Sequence, residues 1–213
     1  MTSLIPLLIA LLNPGFHDDR FVAASEVLQE LTSKSALSDG SGSKTLTEPL
    51  LVWLDIVGNQ IMESTYASGV VSSVSHSLCK LLVALGDHST LYLASNVASS
   101  VTVSIGSSTT LTRGHLVQNF LRLLLAYTGL PGFYGIDEEE SEMTLGFWYL
   151  FQEALWTVEF DTENGDNIHT PPPSDSREPK QVVVAKAVYL ELMKVLRRKA
   201  AFPPPGSGWS RGM

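Results

Sequence analysis

The chain has 213 residues, 44% of them hydrophobic, which is enough to bury a sizeable core. Its formal charge of -8 is unevenly spread: residues 131–180 carry 12 acids against 2 bases, residues 1–130 carry 9 against 6, and residues 181–213 carry 1 against 6. This balance argues against direct DNA or RNA binding, which needs a net basic face to neutralise phosphates, and it favours basic protein partners.

Cys79 is the single cysteine, so no intramolecular disulfide or Cys-rich zinc site can form, and a reducing compartment is the simpler reading. Within "SHSLCKLLVAL" it takes a helical core position, which gives the thiol a structural role. The apolar opening "LIPLLIALL" lacks a basic leader and a small-residue cleavage site, so it does not read as a secretory signal. No run reaches membrane-spanning length. The opening reads instead as a helix interrupted by Pro6, the second half of a helix pair, with Met1 expected to fall inside a larger architecture.

Helical periodicity then repeats along the chain. Phe21, Ala24, Val27, Leu28 and Leu31 share one face, and Asp18 and Asp19 suit the cap and first turn, which predicts a helix over 18–35. The Ser/Gly-rich stretch 36–47 reads as a flexible loop. Pro49 is acceptable in a first helical turn, and Leu50, Trp53, Leu54, Val57 and Ile61 predict a helix over 48–66. Val70, Val74, Leu78, Leu81, Leu82 and Leu85 predict another, with Gly86 as its stop. In 97–112, Val101, Val103 and Ile105 alternate as a strand would, but one strand has no partner, so the segment reads as a loop or weak short helix.

Leu116, Phe120, Leu123, Leu124 and Tyr127 resume the helical pattern until Gly129 and Pro131. In "LPGFYGIDEEESEMTLGFWYLFQEALW" a face of Met143, Phe147, Leu150, Phe151 and Ala154 stands beside a second face of Leu145, Trp148 and Leu155. A helix apolar on both faces is buried on more than one side, as in an internal layer of stacked helix pairs. Core packing fits Trp148 and Trp156 better than a surface pocket does. Residues 158–180 read as an acidic, Pro-rich insertion, and a last helix over 180–199 ends in Arg197, Arg198 and Lys199, where cations complement the helix dipole, before Pro203 to Pro205 stop it. Together these predict an all-α, HEAT-repeat-like helical solenoid of stacked antiparallel helix pairs, with 1–213 as a single segment of a longer one.

"YTGLPGFYGIDEEESEMTLGFWYLFQEAL" resembles a segment of nuclear transport receptors of the karyopherin-β superfamily, in the branch that holds transportin-SR and the thirteenth importin. "FVAASEVLQEL", "HSLCKLLVALGDHS" and "VYLELMKVLRRKAAFPPP" are similar in order and spacing to the same branch, so the likeness spans most of the chain, whereas 99–110 and the acidic insertion depart from it. Family members are several times longer, so the chain resembles a central fragment. The resemblance implies a curved HEAT superhelix, not an enzyme, without cofactor or metal. It implies protein import by binding cargo with basic surfaces, Ran GTPase and Phe-Gly nucleoporins, and shuttling between nucleus and cytoplasm, with no direct nucleic-acid or membrane partner. A generic helical scaffold is the alternative.

Enzyme chemistry has little support. His17, His76, His88, His115 and His169 are scattered, without an HExxH pair, a nucleophile elbow or a phosphate loop. A metal-dependent helical enzyme would need Mg²⁺ at Asp137, Glu138, Glu139, Glu140 and Glu142, yet consecutive helical residues diverge and the second carboxylate cluster is missing. The same five acids suit a helix start, where they interact favourably with the dipole. They exceed what capping requires, which makes them the candidate docking ridge for basic cargo or Ran.

Overall fold

The structure is a computed structural model and describes residues 4–13, 18–35, 43–105, 109–132, 139–163 and 180–200. The first helix, α1 (Leu4–Leu11), leads into α2 (Asp18–Ser35), which carries Asp18 and Asp19 in its first turn as expected. From Ser43 the chain is helical to Ser68: a π turn (Ser43–Thr47), α3 (Glu48–Trp53), a second π turn (Leu54–Gly58) and α4 (Asn59–Ser68). Helix therefore occupies the end of the expected 36–47 loop, whose first part, 36–42, lies outside the described residues. The second π turn is held locally: the Asn59 amide donates to the Asp55 carbonyl at 2.7 Å, a partner for backbone that the wider turn leaves out of the helical ladder. Gly69, at φ 66, ends α4 in the left-handed region that glycine tolerates.

Ser72 caps α5 (Ser73–His88) by accepting from the Ser75 amide. The expected stop at Gly86 is corrected. The helix runs through it, because the missing side chain makes room for a neighbour: a Cβ there would lie 2.5 Å from the Phe147 ring. Periodicity cannot separate a terminating glycine from one at a close approach. A short α6 (Thr90–Asn96) follows.

The reading of 97–112 as a loop or weak helix is also corrected. Two strands, β1 (Thr102–Ile105) and β2 (Thr109–Thr112), pair antiparallel from Thr102 opposite Thr112 to Ile105 opposite Thr109. The partner judged missing lies immediately downstream. Thr112 then caps α7 (Arg113–Thr128) by accepting from the His115 amide.

Three helices complete the described chain: α8 (Glu139–Met143), α9 (Leu145–Glu163) and α10 (Lys180–Lys199). The helix α9 runs past the expected insertion boundary at 158, while 164–179 and Pro203 to Pro205 lie outside the described residues. Packing sorts the helices into two layers. In one, α5 lies between α2 and α9, with α6 also against α9; in the other, α7 lies between the α3–α4 stretch and α10. The result is an all-α, HEAT-like stack of helix pairs decorated with one hairpin.

Ring contacts join the pairs: Phe21 meets Trp53 at 6.1 Å, Phe120 meets Phe147 edge-on at 5.7 Å, and Phe151 stacks on Tyr189 at 6.4 Å. Polar bonds fix the interior. Ser75 accepts from Thr65 at 2.8 Å and shares a 2.9 Å bond with the Tyr127 hydroxyl, which ties α4, α5 and α7 together. No helix among the described residues is long and apolar enough to cross a membrane.

Candidate docking surface

The acidic ridge straddles the edge of the described chain. Asp137 and Glu138 lie outside the described residues, whereas Glu139, Glu140 and Glu142 belong to the single turn α8. Their side chains diverge as adjacent helical positions must. Glu139 and Glu142 are exposed, whereas the Glu140 side chain is only 15% exposed and turns towards α5.

There Glu140 meets His76, whose Nδ1 lies 2.8 Å from Oε1, and Nε2 of the same ring lies 3.9 Å from Glu139. One imidazole thus bridges two carboxylates. Beneath them Cys79 is fully buried, and its Sγ donates to the Glu140 carbonyl at 3.6 Å. Burial first, and then the Glu140 and Glu139 carboxylates, push the thiol well above the usual cysteine range. The expected structural role of Cys79 follows from this, since a thiol that stays protonated is a poor nucleophile.

A polar network sets the turn in place. Ser141 donates to the Thr128 carbonyl at 2.7 Å, Thr144 and Thr128 share a 2.8 Å hydroxyl bond, and the Trp148 indole donates to the Thr128 hydroxyl at 3.0 Å. The last turn of α7 is thereby tied to α8 and α9. At the far end of α10, Lys199 donates to the Leu130 carbonyl at 2.6 Å and is buried. That contact and the helix-end position account for the terminal basic cluster as fold chemistry.

His76, Glu139 and Glu140 offer one ligand atom each within 4.8 Å of one another. The set differs from the carboxylate pair of clusters that a diphosphate-using enzyme needs, because its third member is an imidazole. With the 2.8 Å contact, the geometry is that of a hydrogen-bonded bridge. His76 was not legible as part of this group. It lies 64 positions from Glu140, and no local motif links the two.

The two tryptophans part company. Trp148 is buried as expected, but Trp156 is 58% exposed, and the reading of it as core is corrected. The side of α9 that it occupies has no covering helix among the described residues. It forms instead one wall of a groove of about 490 Å³ facing α10.

No protein-family model and no solved structure matches the chain. It is 30% identical over 135 residues to importin-13 of Gallus gallus, and equally so to importin-13 of Homo sapiens and of Mus musculus. The match covers 61% of this chain and 10% of the length of each of these relatives.

Proposed function

We propose that the chain is one HEAT-repeat segment, 1–213, of a longer import receptor of the karyopherin-β superfamily that carries protein cargo into the nucleus. The similarity to importin-13 is the observation that carries this reading. The two-layer stack supports it, since helix pairs with open end faces are the unit from which a longer superhelix is built.

Within that receptor the exposed acids Glu139 and Glu142 form a surface for basic cargo or for Ran GTPase, and Asp137 and Glu138 add two further acids to the sequence just before them. Glu140 anchors the turn through His76. Contact with Phe-Gly nucleoporins and shuttling between nucleus and cytoplasm complete the role. Electrostatic complementarity of this kind speeds encounter and rejects wrong partners more than it adds raw affinity.

The test is binding of the purified chain to Ran loaded with GTP or with GDP, and to a basic cargo protein, before and after the double reversal Glu139→Lys and Glu142→Lys. The reading expects weaker binding by the variant at unchanged helicity, and a shallower decline of binding with salt, because exposed charges are screened over about 10 Å at 0.1 M ionic strength. Equal binding by parent and variant at every salt concentration sinks the acidic surface. Failure of the parent to bind Ran or cargo sinks the role of this segment.

A further inference from the structure

Two anchored parts of the fold bring one imidazole and two carboxylates into a single cluster. His76 stands in the first half of α5, between Ser75 and Ser77, which are buried and fix the helix in the stack. Glu139 and Glu140 come from α8, which is tied down twice: Ser141 donates to the Thr128 carbonyl at 2.7 Å, and the Cys79 thiol of α5 donates to the Glu140 carbonyl at 3.6 Å. One nitrogen and one oxygen from each acid lie within 4.8 Å of one another. Among the described residues this is the one group of three histidine, cysteine or acidic side chains that close together.

A proton on the ring serves only one of the two acids. Nδ1 lies at hydrogen-bond distance from Glu140, at 2.8 Å, whereas Nε2 and Glu139, at 3.9 Å, are too far apart to share a hydrogen. Glu139 thus stands beside the pair without a hydrogen bond to it, at a distance that an ion between them could span. Other charges flank the cluster: exposed Lys80 one turn further along α5, Lys199 in the wall of the small pocket that Glu140 also lines, and exposed Glu142 on α8. With these included the surroundings stay net negative, and the two clustered carboxylates balance the charge of a divalent cation.

We propose that His76, Glu139 and Glu140 form a binding site for a divalent cation of the zinc class, with water completing its coordination. An imidazole nitrogen suits such ions, while Mg²⁺ and Ca²⁺ prefer sets made wholly of oxygen. Zn–N and Zn–O bonds of about 2.0–2.2 Å place tetrahedral ligands about 3.4 Å apart. The contact between His76 and Glu140 then opens by about 0.6 Å, and the Glu139 side chain, which is 71% exposed, turns in to meet the ion. Both adjustments are within reach of side-chain torsions. An ion held here joins α5 to α8 by coordination and cancels two charges of the acidic turn.

Calorimetric titration of the 213-residue chain with Zn²⁺, after a chelator has stripped it of metal, tests this. One ion should bind per chain in the micromolar range, and saturation should raise the thermal midpoint, because the site exists only in the folded chain. Mg²⁺ and Ca²⁺ in large excess should not displace it. Glu139→Gln, at an exposed position, should keep the circular dichroism of the parent and weaken zinc binding about 10-fold or more, and His76→Gln should weaken it further. Glu142→Gln, on the same turn and outside the cluster, should bind zinc as the parent does. A parent chain that binds no zinc, an affinity left unchanged by either Glu139→Gln or His76→Gln, or displacement of the ion by Mg²⁺ would each overturn the proposal.

Discussion

The inner pair α5 and α7 and the outer pair α9 and α10 are built from similar residues and meet different fates. In α5, Leu78, Cys79, Leu81, Leu82 and Leu85 are all buried, as are Leu116, Phe120, Leu121 and Leu124 in α7. In α9 and α10, Phe147, Trp148, Phe151 and Leu192 are buried, while Tyr149, Trp156, Leu190 and Met193 are exposed. Composition does not separate the pairs. Position in the stack does, since among the described residues an inner helix has neighbours on both sides and an outer one lacks the second. A sequence can therefore mark a helix as doubly apolar without saying whether its second face has yet found cover.

The sharpest way to break this contrast is one substitution made in both environments of α9. Trp148→Ala should cost about 3–5 kcal/mol, because it empties a buried site and removes the indole donor to Thr128. Trp156→Ala should change stability by no more than about 0.5 kcal/mol. Comparable denaturation midpoints for the two variants would show that the groove is covered. Glycines offer a second pair. Gly86→Ala puts a Cβ 2.5 Å from Phe147 and should cost about 1–3 kcal/mol, whereas Gly146→Ala meets nothing within 4 Å and should stabilise by about 0.5–1 kcal/mol. Opposite shifts in thermal midpoint are the expected reading.

A smaller, graded effect comes from pH. Burial raises the Cys79 thiol and the Tyr127 phenol above their ordinary values, so both stay protonated in the folded chain when the unfolded chain has begun to ionise. Their contribution is complete below about pH 8.5, the ordinary thiol value, and is lost as pH rises through it and on through the ordinary tyrosine value of about 10. The thermal midpoint measured from about pH 7 to about pH 11 should fall, and Cys79→Ala should flatten the first part of the fall. A curve unchanged by Cys79→Ala would deny the thiol any share. At the surface the effects shrink further: Glu140→Gln should cost about 1 kcal/mol through its bond to His76, while Glu142→Gln should stay within about 0.5 kcal/mol. Equal costs would mean that the two carboxylates share one environment.

The helices were legible wherever one apolar face ran unbroken, as from Phe21 to Leu31 and from Leu116 to Tyr127. Features that depend on a distant neighbour were not. Gly86 reads as a stop until Phe147 is seen lying against it, and no spacing rule connects His76 with Glu140. The hairpin was within reach: two Thr/Val-rich runs separated by Gly106, Ser107 and Ser108 carry the usual hairpin signature, but only the run through Val101, Val103 and Ile105 reads as a strand by strict alternation. Of the five candidate acids, the sequence supplied the cluster but not its division between the inward Glu140 and the outward Glu139 and Glu142. That division depends on which side of a single turn faces α5.

The hydroxyl network around Thr128 has a further consequence, for alignment. Leucine faces packed on one another are nearly indifferent to sliding, and a shift of one helical turn, about 5.4 Å, replaces one aliphatic contact by another. Hydrogen bonds are not indifferent, since a displaced donor in a dry interior is left without an acceptor. Thr128, Ser141, Thr144 and Trp148 work as a key with one setting: moving α8 and α9 together by a turn would take the Trp148 indole and the Ser141 hydroxyl away from their acceptors on Thr128. A long superhelix adds up the small placement errors of its repeats, and a seam of this kind resets that error locally, so that the surfaces on either side keep a fixed spacing.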